Sequence, residues 1–449
     1  MASTTLTRTP SSAGNRKTFT ISAWVKRTEI GDTTSIFSAH SADSTSGHFV
    51  FRVTNNDQVG WSRWSEDSYS TRLIRDVNGW YHFVLAVDTT QATASNRIKL
   101  YVNGVQETSF ATGPNYPNQN TDLPVNNTNK QVVGANGYSS TSNYWEGYMN
   151  NFALVDGTAL TPTSFGETDS TSGIWKFKAP SGITWGTNGV HLKMDNSGNL
   201  GLDSSGQTNN YTLSGNGRQA KDTPTNVHAT WNSLSYRNND SQRYVTFSEG
   251  NNTAIGNSST NNGNAYSSLG ASSGKFYCEI KATDVRGSGY PNIGFINEAG
   301  ANRTNGSSGQ IGTQGGLAYL PDGRLNDAGN ITSSWGASFT DNDVIQLAMD
   351  LDNGAFYFGK NGTWQNSGNP ASGASKTGAA RSFTPDGTFQ FFGVAVYESG
   401  CEVKANFGNG YFGTTAISSA GSNGNGSLFE YDVPSGYYAL NTKNINTYG

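Results

Sequence analysis

Charge is scarce in this sequence: 14% of its 449 residues are Asp, Glu, Lys or Arg, against about 25% in an average soluble domain. The balance is slightly acidic, 29 Lys and Arg against 33 Asp and Glu. That argues against nucleic acid as a partner, because phosphate binding draws on clustered cations. The one local concentration of basic residues, Arg8, Arg16, Lys17, Lys26 and Arg27, reads as a solvated edge or a docking surface. Cysteine is nearly absent. Cys278 and Cys401 are too few for a disulfide framework or a zinc site. Each sits in a strand-like segment, where a small buried hydrophobe is the simpler reading. No run approaches the roughly 18 apolar residues that cross a bilayer. The start, MASTTLTRTPSSAGNRK, lacks the apolar core of a secretory signal. The expectation is therefore synthesis in a cytoplasm and no membrane insertion.

Helical periodicity is almost missing as well, and what is present points to strands. Glycine contributes 55 residues and the aromatics 12%, so the chain turns often yet keeps material for packed sheets, unlike a disordered segment. Short β-like runs recur with turn residues between them, from Phe19–Val25 to Cys401–Phe407, which predicts β-sandwiches. A chain of this length exceeds one ordinary core, so two domains are expected. One local device occurs twice. In LAVDTTQATASNRIKLYVNGV (85–105) and LAMDLDNGAFYFGKNGT (347–363), a run ends in Leu-Ala-x-Asp, a polar loop comes next, and a second run ends in Asn-Gly. Asn-Gly is a strong hairpin signature, since a type I′ turn needs positive φ at both central positions. The reading is all-β: two tandem jelly-roll-like antiparallel β-sandwiches joined by an irregular connector. The boundaries are an N-terminal docking arm (1–17), a first sandwich (18–213), the connector (214–245), a second sandwich (246–416) and a C-terminal tail (417–449). The arm carries few hydrophobes, so its order would have to come from a neighbour. The tail's Phe429, Tyr431, Tyr437, Tyr438 and Leu440 suggest packing back on a domain or a neighbour.

The first half resembles a laminin-G/concanavalin A-like lectin domain, in FTISAWVKR, GWYHFVLAVD, RIKLYVNGVQ and YWEGYMNNFALVDGTALTP taken in that order. The second half resembles a SPRY domain, in SSGKFYCEIKA, NIGFI, DVIQLAMDLDNGAFYFGKNG and FFGVAVYESGCEVKANFGN. Their combination is similar to modular virion proteins of marine tailed bacteriophages, which occur as tail fibres, appendages or capsid-surface proteins. The resemblance implies a non-enzymatic virion surface protein, made in the host cytoplasm. Its partners would be other virion proteins, further copies of itself and a host-surface glycan or protein. The alternatives are a glycan-cleaving depolymerase and a capsid decoration that binds no ligand.

Chemistry-bearing motifs are few. Glycoside hydrolysis needs two carboxylates about 5–10 Å apart across a cleft, and the nearest candidates, Glu279 and Glu402, stand alone on strands. There is no G-x-S-x-G elbow, and the five histidines have no motif partners. No catalytic residue is assigned. Calcium is the one cofactor left open, since it wants six to eight oxygens. DNSGNLGLDSSG (195–206) offers Asp195, Asn199 and Asp203, although Asx turns explain such a loop more simply. Glycan or partner contact is assigned to aromatics with polar neighbours: Trp61, Trp64, Tyr69 and Arg72 in GWSRWSEDSYSTR, Tyr138 and Tyr144 in GYSSTSNYWEGY, and Tyr319 and Trp335 in the second half. Trp61 and Trp64 lie three apart, so on one strand they would face opposite sides. Docking is assigned to Arg8, Arg16 and Lys17.

Overall fold

A computed structural model describes residues 3–138, 140–234, 244–287, 289–301, 311–312 and 315–449. The first two residues of the expected arm and 235–243 of the expected connector lie outside the described residues. The chain is nearly all-β, with several antiparallel sheets, and divides into two compact units. The first comprises residues 1–219 with 223–225, the second 220–222 with 226–449. Among the described residues no helix is long and apolar enough to cross a membrane.

In the first unit an eight-stranded sheet runs, from one edge to the other, Phe110–Thr112, Glu66–Leu73, Gln58–Arg63, His48–Val53, Thr34–His40, Gln131–Val133, Thr5–Arg8 and Thr212–Ser214. A six-stranded sheet holds Val190–Leu192, Gly147–Asp156, Thr18–Arg27, Tyr81–Asp88, Ile98–Val102 and Val105–Gln106. Alternation builds the core between them: in Ile98–Val102 the residues Ile98, Leu100 and Val102 are buried while Lys99 and Tyr101 are half-exposed. They join Phe19, Phe37, Phe51, Trp61 and Leu85 in one cluster.

Each Asn-Gly pair makes the expected turn. Asn103 and Gly104 have φ of 47° and 81°, Asn361 and Gly362 of 46° and 86°. Both asparagines also pin the turn to a neighbouring strand. The Asn103 N–H donates to His82 O and the His82 N–H to Asn103 Oδ1, each at 2.8 Å. In the second unit Asn361 N–H donates to Val344 O at 2.9 Å and Val344 N–H to Asn361 Oδ1 at 2.8 Å. The paired aspartates close the loop before the second strand: Asp88 Oδ1 accepts from Thr90 N at 3.1 Å and Asp350 Oδ1 from Asn353 N at 2.9 Å.

The arm differs from expectation, because it finds its partners inside its own unit. Thr5–Arg8 is a strand, with Leu6 opposite Val133 on one side and Leu213 on the other, and Leu6 is buried in the core. The rest of the arm is held by Asp156, whose carboxylate accepts from the backbone of Asn15 at 2.7 Å and of Asn188 at 2.9 Å.

The second unit packs two sheets over a core of its own. One has the path Val245–Ser248, Thr253–Gly256, Glu402–Asn406, Lys275–Asp284, Val344–Asp350, Ala355–Lys360 and Thr363–Trp364. The other holds Gly263–Tyr266, Gln390–Val396, Asn292–Asn297, Leu317–Tyr319, Leu325–Asp327 and Asn330–Thr332. Cys278 and Cys401 are free and buried. Part of the expected connector belongs to this unit rather than to its surface: Trp231 is fully buried and its backbone N–H donates to Asn251 O at 2.8 Å. The tail packs here too. Phe429, Tyr437 and Leu440 are buried, and Tyr438–Ala439 pairs in parallel with Phe276 and Tyr277. Buried Glu279 fixes it further, accepting from the backbone N–H groups of Glu430 and Tyr431, each at 2.8 Å, from the Tyr277 hydroxyl at 3.0 Å and from Asn406 Nδ2 at 3.3 Å. Burial pushes this carboxyl up to about 7, and the bonds from Glu430, Tyr431 and Tyr277 pull the other way.

Candidate functional site

On the face of the eight-stranded sheet that turns away from the core, register lines up three rings. His40 is paired with His48, and Val50 with Ser62, so the same antiparallel register brings His48 opposite Trp64. Tyr138 meets all three: its ring centroid lies 4.4 Å from His40, 5.8 Å from His48 and 5.6 Å from Trp64. The loop carrying Tyr138 is tied to the sheet through Ser38, whose hydroxyl donates to Ala135 O and accepts from Gly137 N, both at 2.9 Å. Gly137 permits that approach, since a Cβ there would stand 2.3 Å from Val132 Cγ2.

Trp64 is the exposed member. It keeps 42% of its surface accessible and sits at φ 57°, a left-handed backbone that bulky residues rarely adopt. The residue sits in the tight turn between Gln58–Arg63 and Glu66–Leu73. His48 is its buried neighbour. Burial first, and then His40 and Arg52, lower its pKa to about 4, so the ring is neutral at pH 7, and Nδ1 is buried without a hydrogen-bond partner. Polar groups surround the rings. Asp43 bonds the Tyr138 hydroxyl and, at 3.1 Å, His40 Nε2, which keeps its carboxyl below the usual range. Further along the same face Arg52 reaches the Tyr69 hydroxyl at 2.8 Å and Asp67 at 3.3 Å.

The sequence candidates separate accordingly. Trp61 and Trp64 do face opposite ways. Trp61 is fully buried, 5.6 Å from Phe110 and 6.1 Å from Tyr116, so as a ligand contact it is corrected to core. Tyr69 is buried, with burial pushing its phenol up to about 12, and its hydroxyl anchors Arg52 beside the rings. Arg72 pairs instead with Glu107, at 2.7 Å. Tyr144 is half-buried and has no ring contact with Tyr138 among the described residues. Tyr319 is fully buried, its hydroxyl donating to Ala337 O, and half-buried Trp335 packs 5.5 Å from it against the core. Both are corrected to structural residues. Arg8, assigned to docking, instead donates to Asn188 and Asn209 inside its unit. Arg16 Nε donates to Leu123 O at 2.8 Å, and Lys17 is half-buried with its backbone N–H on Asn15 Oδ1 at 3.0 Å.

The calcium candidates do not assemble. Asp195 and Asn199 are exposed. Both oxygens of Asp203 are occupied, Oδ1 accepting from His191 N at 2.9 Å and Ser205 N at 2.8 Å, Oδ2 from Asn209 N and Ser205 Oγ, both at 2.8 Å. That is an Asx-type turn, the simpler reading of this loop. The acidic trio that does converge among the described residues is Glu29, Asp32 and Glu146, whose ligand oxygens lie within 4.8 Å of one another. Burial and the two neighbouring carboxylates raise Glu146 to about 6.

Sequence reasoning misses His40, His48, Asp43 and Arg52, because a motif search sees spacing along the chain. Their one sequence signal is HSADSTSGH, a polar loop flanked by histidines, which a hairpin would set side by side.

The fold defines a protein built of antiparallel β-sandwiches. Residues 2–164 match the family model described as the concanavalin A-like lectin/glucanases superfamily. No curated protein matches the chain. Among solved structures, a human SPRY domain is similar at 20% identity over 36% of this chain and 94% of its own, with a TM-score of 0.27. A heptameric SAP-like pentraxin from Limulus polyphemus is similar at 16% identity over 36% of this chain and 72% of its own, with a TM-score of 0.27. A putative carbohydrate binding protein from Bacteroides ovatus is similar at 16% identity over 47% of this chain and 57% of its own, with a TM-score of 0.30.

Proposed function

We propose that the protein is a non-enzymatic adhesion protein whose first unit binds carbohydrate through the ring cluster around Trp64. One observation carries the reading: a tryptophan is held exposed, in a strained backbone position where glycine or asparagine would rest easily, beside the rings of His48 and of Tyr138, whose hydroxyl bonds Asp43. Strain kept at an exposed aromatic is a pointer to function, and a sugar's C–H face stacks on such a ring while its hydroxyls reach the flanking polar groups. The match of residues 2–164 to a family that includes lectins supports the same reading. The alternative, a depolymerase, would need a carboxylate pair across a cleft. Glu279 is closed under the tail and Glu402 bonds Thr283 Oγ1 at 2.9 Å, and register sets Glu402 opposite Asp284 rather than Glu279.

In its finer form the proposal places the protein on the surface of a tailed-phage virion, as tail fibre, appendage or capsid decoration, in several identical copies whose weak contacts add. The support is the pairing of lectin-like and SPRY-like motifs in one chain. Immunogold labelling of intact particles checks that form, and unlabelled particles overturn it. The binding reading is checked by Trp64→Asn, which tolerates the left-handed backbone. Affinity for host-surface polysaccharide fragments should fall about tenfold, about 1.4 kcal/mol, with the thermal midpoint no lower, since asparagine relieves the strained backbone. Unchanged affinity would sink the assignment, and so would release of new reducing ends by the wild-type protein.

A further inference from the structure

Resting on that reading, we infer that the sugar taken by the Trp64 cluster is an uncharged one, recognised through stacking and hydroxyl contacts rather than through an acidic group. The argument is a charge inventory of the outer face. The arginine beside the rings is already matched by an anion of the same face. Arg52 reaches Asp67 at 3.3 Å and is braced by the Tyr69 hydroxyl. Arg63 alternates with Ser62 and so lies on the Trp61 side of the sheet, where it is paired with Glu66 across the turn that carries Trp64. His40 Nε2 lies 3.1 Å from Asp43. His48 stays neutral at pH 7.

A uronate, sialate or sulfate would therefore meet no uncompensated arginine, and it would approach Asp43 and Asp67. Recognition of such groups rests on a free guanidinium or ammonium, and a charge brought to a partly dry surface without a partner is costly. An amino sugar is disfavoured for the converse reason, since Asp43 and Asp67 each already hold a donor. Hydroxyl groups suit what remains. They both donate and accept, so they can serve the carboxylate lone pairs left over by the ion pairs. Trp64 offers the apolar face of its ring.

The test uses the full-length protein and two sets of probes: neutral oligosaccharides from mannan, galactan and dextran, and acidic ones from alginate and polygalacturonate. Binding is followed by ligand-observed NMR and weak-affinity chromatography at low and high salt, about 50 and about 500 mM NaCl. The expected result is binding of one or more neutral probes, with affinity changing less than about twofold between the two salts, as for contacts without net charge, and lost in Trp64→Asn. Preference for the acidic probes, steeply weakened by salt and still lost in Trp64→Asn, would overturn the inference about ligand class and leave the site standing. Binding of neither set, or binding untouched by Trp64→Asn, would overturn the site reading and this inference with it. Unchanged circular dichroism and a thermal midpoint no lower than the wild type's separate a lost contact from a lost fold.

Discussion

Trp175 can only donate through its indole N–H, so the His82 Nδ1 it reaches at 3.0 Å must be an acceptor. The neutral ring then carries its proton on Nε2, which donates to Ser22 Oγ at 2.8 Å. Trp24 stacks on the same ring at 4.6 Å, with planes 10° apart. Nothing there accepts a second proton, and burial lowers the pKa to about 3. His48 and His191 are also lowered by burial, each to about 4. The unfolded chain takes up these protons near the ordinary value of about 6.5. Between that pH and the folded values the unfolded state binds more protons, so stability rises with pH, is complete above about 6.5 and is lost as pH falls. The first unit should lose on the order of 1 kcal/mol per pH unit for each such histidine. Urea unfolding followed between about pH 7 and about pH 5 checks this. His82→Gln should reduce the slope by about one proton, and an unaltered slope would show that His82 is not the group that titrates.

Glu279 works at the scale of a whole segment. Its two oxygens receive two successive backbone N–H groups of the tail, and Phe429 then lies 4.9 Å from Tyr277 while the Tyr437 hydroxyl donates to Pro370 O at 3.0 Å. Replacing the acid by Glu279→Gln turns one acceptor into a donor facing donors. The expected cost is about 1–3 kcal/mol, together with faster hydrogen exchange in residues 428–441. Exchange that accelerates evenly over the second unit, or not at all, would contradict a clasp at this point. This segment also shows what the sequence withheld. The opposite facing of Trp61 and Trp64, the alternating strands and both Asn-Gly turns depend on neighbours along the chain, and all three were legible there. The tail's seat depends on a glutamate 151 positions away. The arm's order depends on Val133 and Leu213, and the ring cluster on a register that joins residues 40, 48 and 64. Such pairings exist only after the sheets form. Tyr319 and Trp335 misled for the opposite reason: aromatic rings beside polar loops have the same composition whether they face solvent or core.

Across the whole molecule each unit has such an Asn-Gly turn locked to its own sheet, Asn103 to His82 and Asn361 to Val344. Substitution by alanine removes the Oδ1 acceptor and strains a positive φ, for an expected cost of about 1–3 kcal/mol. With a separate core in each unit, calorimetry should resolve two transitions, Asn103→Ala lowering one and Asn361→Ala the other. A single transition moved equally by both variants would deny that the units are separate cooperative bodies. The ring cluster has a different relation to these cores. Trp64 and Tyr138 stand on a turn and a loop, outside the core of the first unit, and loops of this kind accept new residues readily. Under the proposed function, the ligand can therefore drift through residues 41–47 and 64–65 while the sandwich beneath is inherited unchanged, so relatives that share the scaffold need not share a ligand.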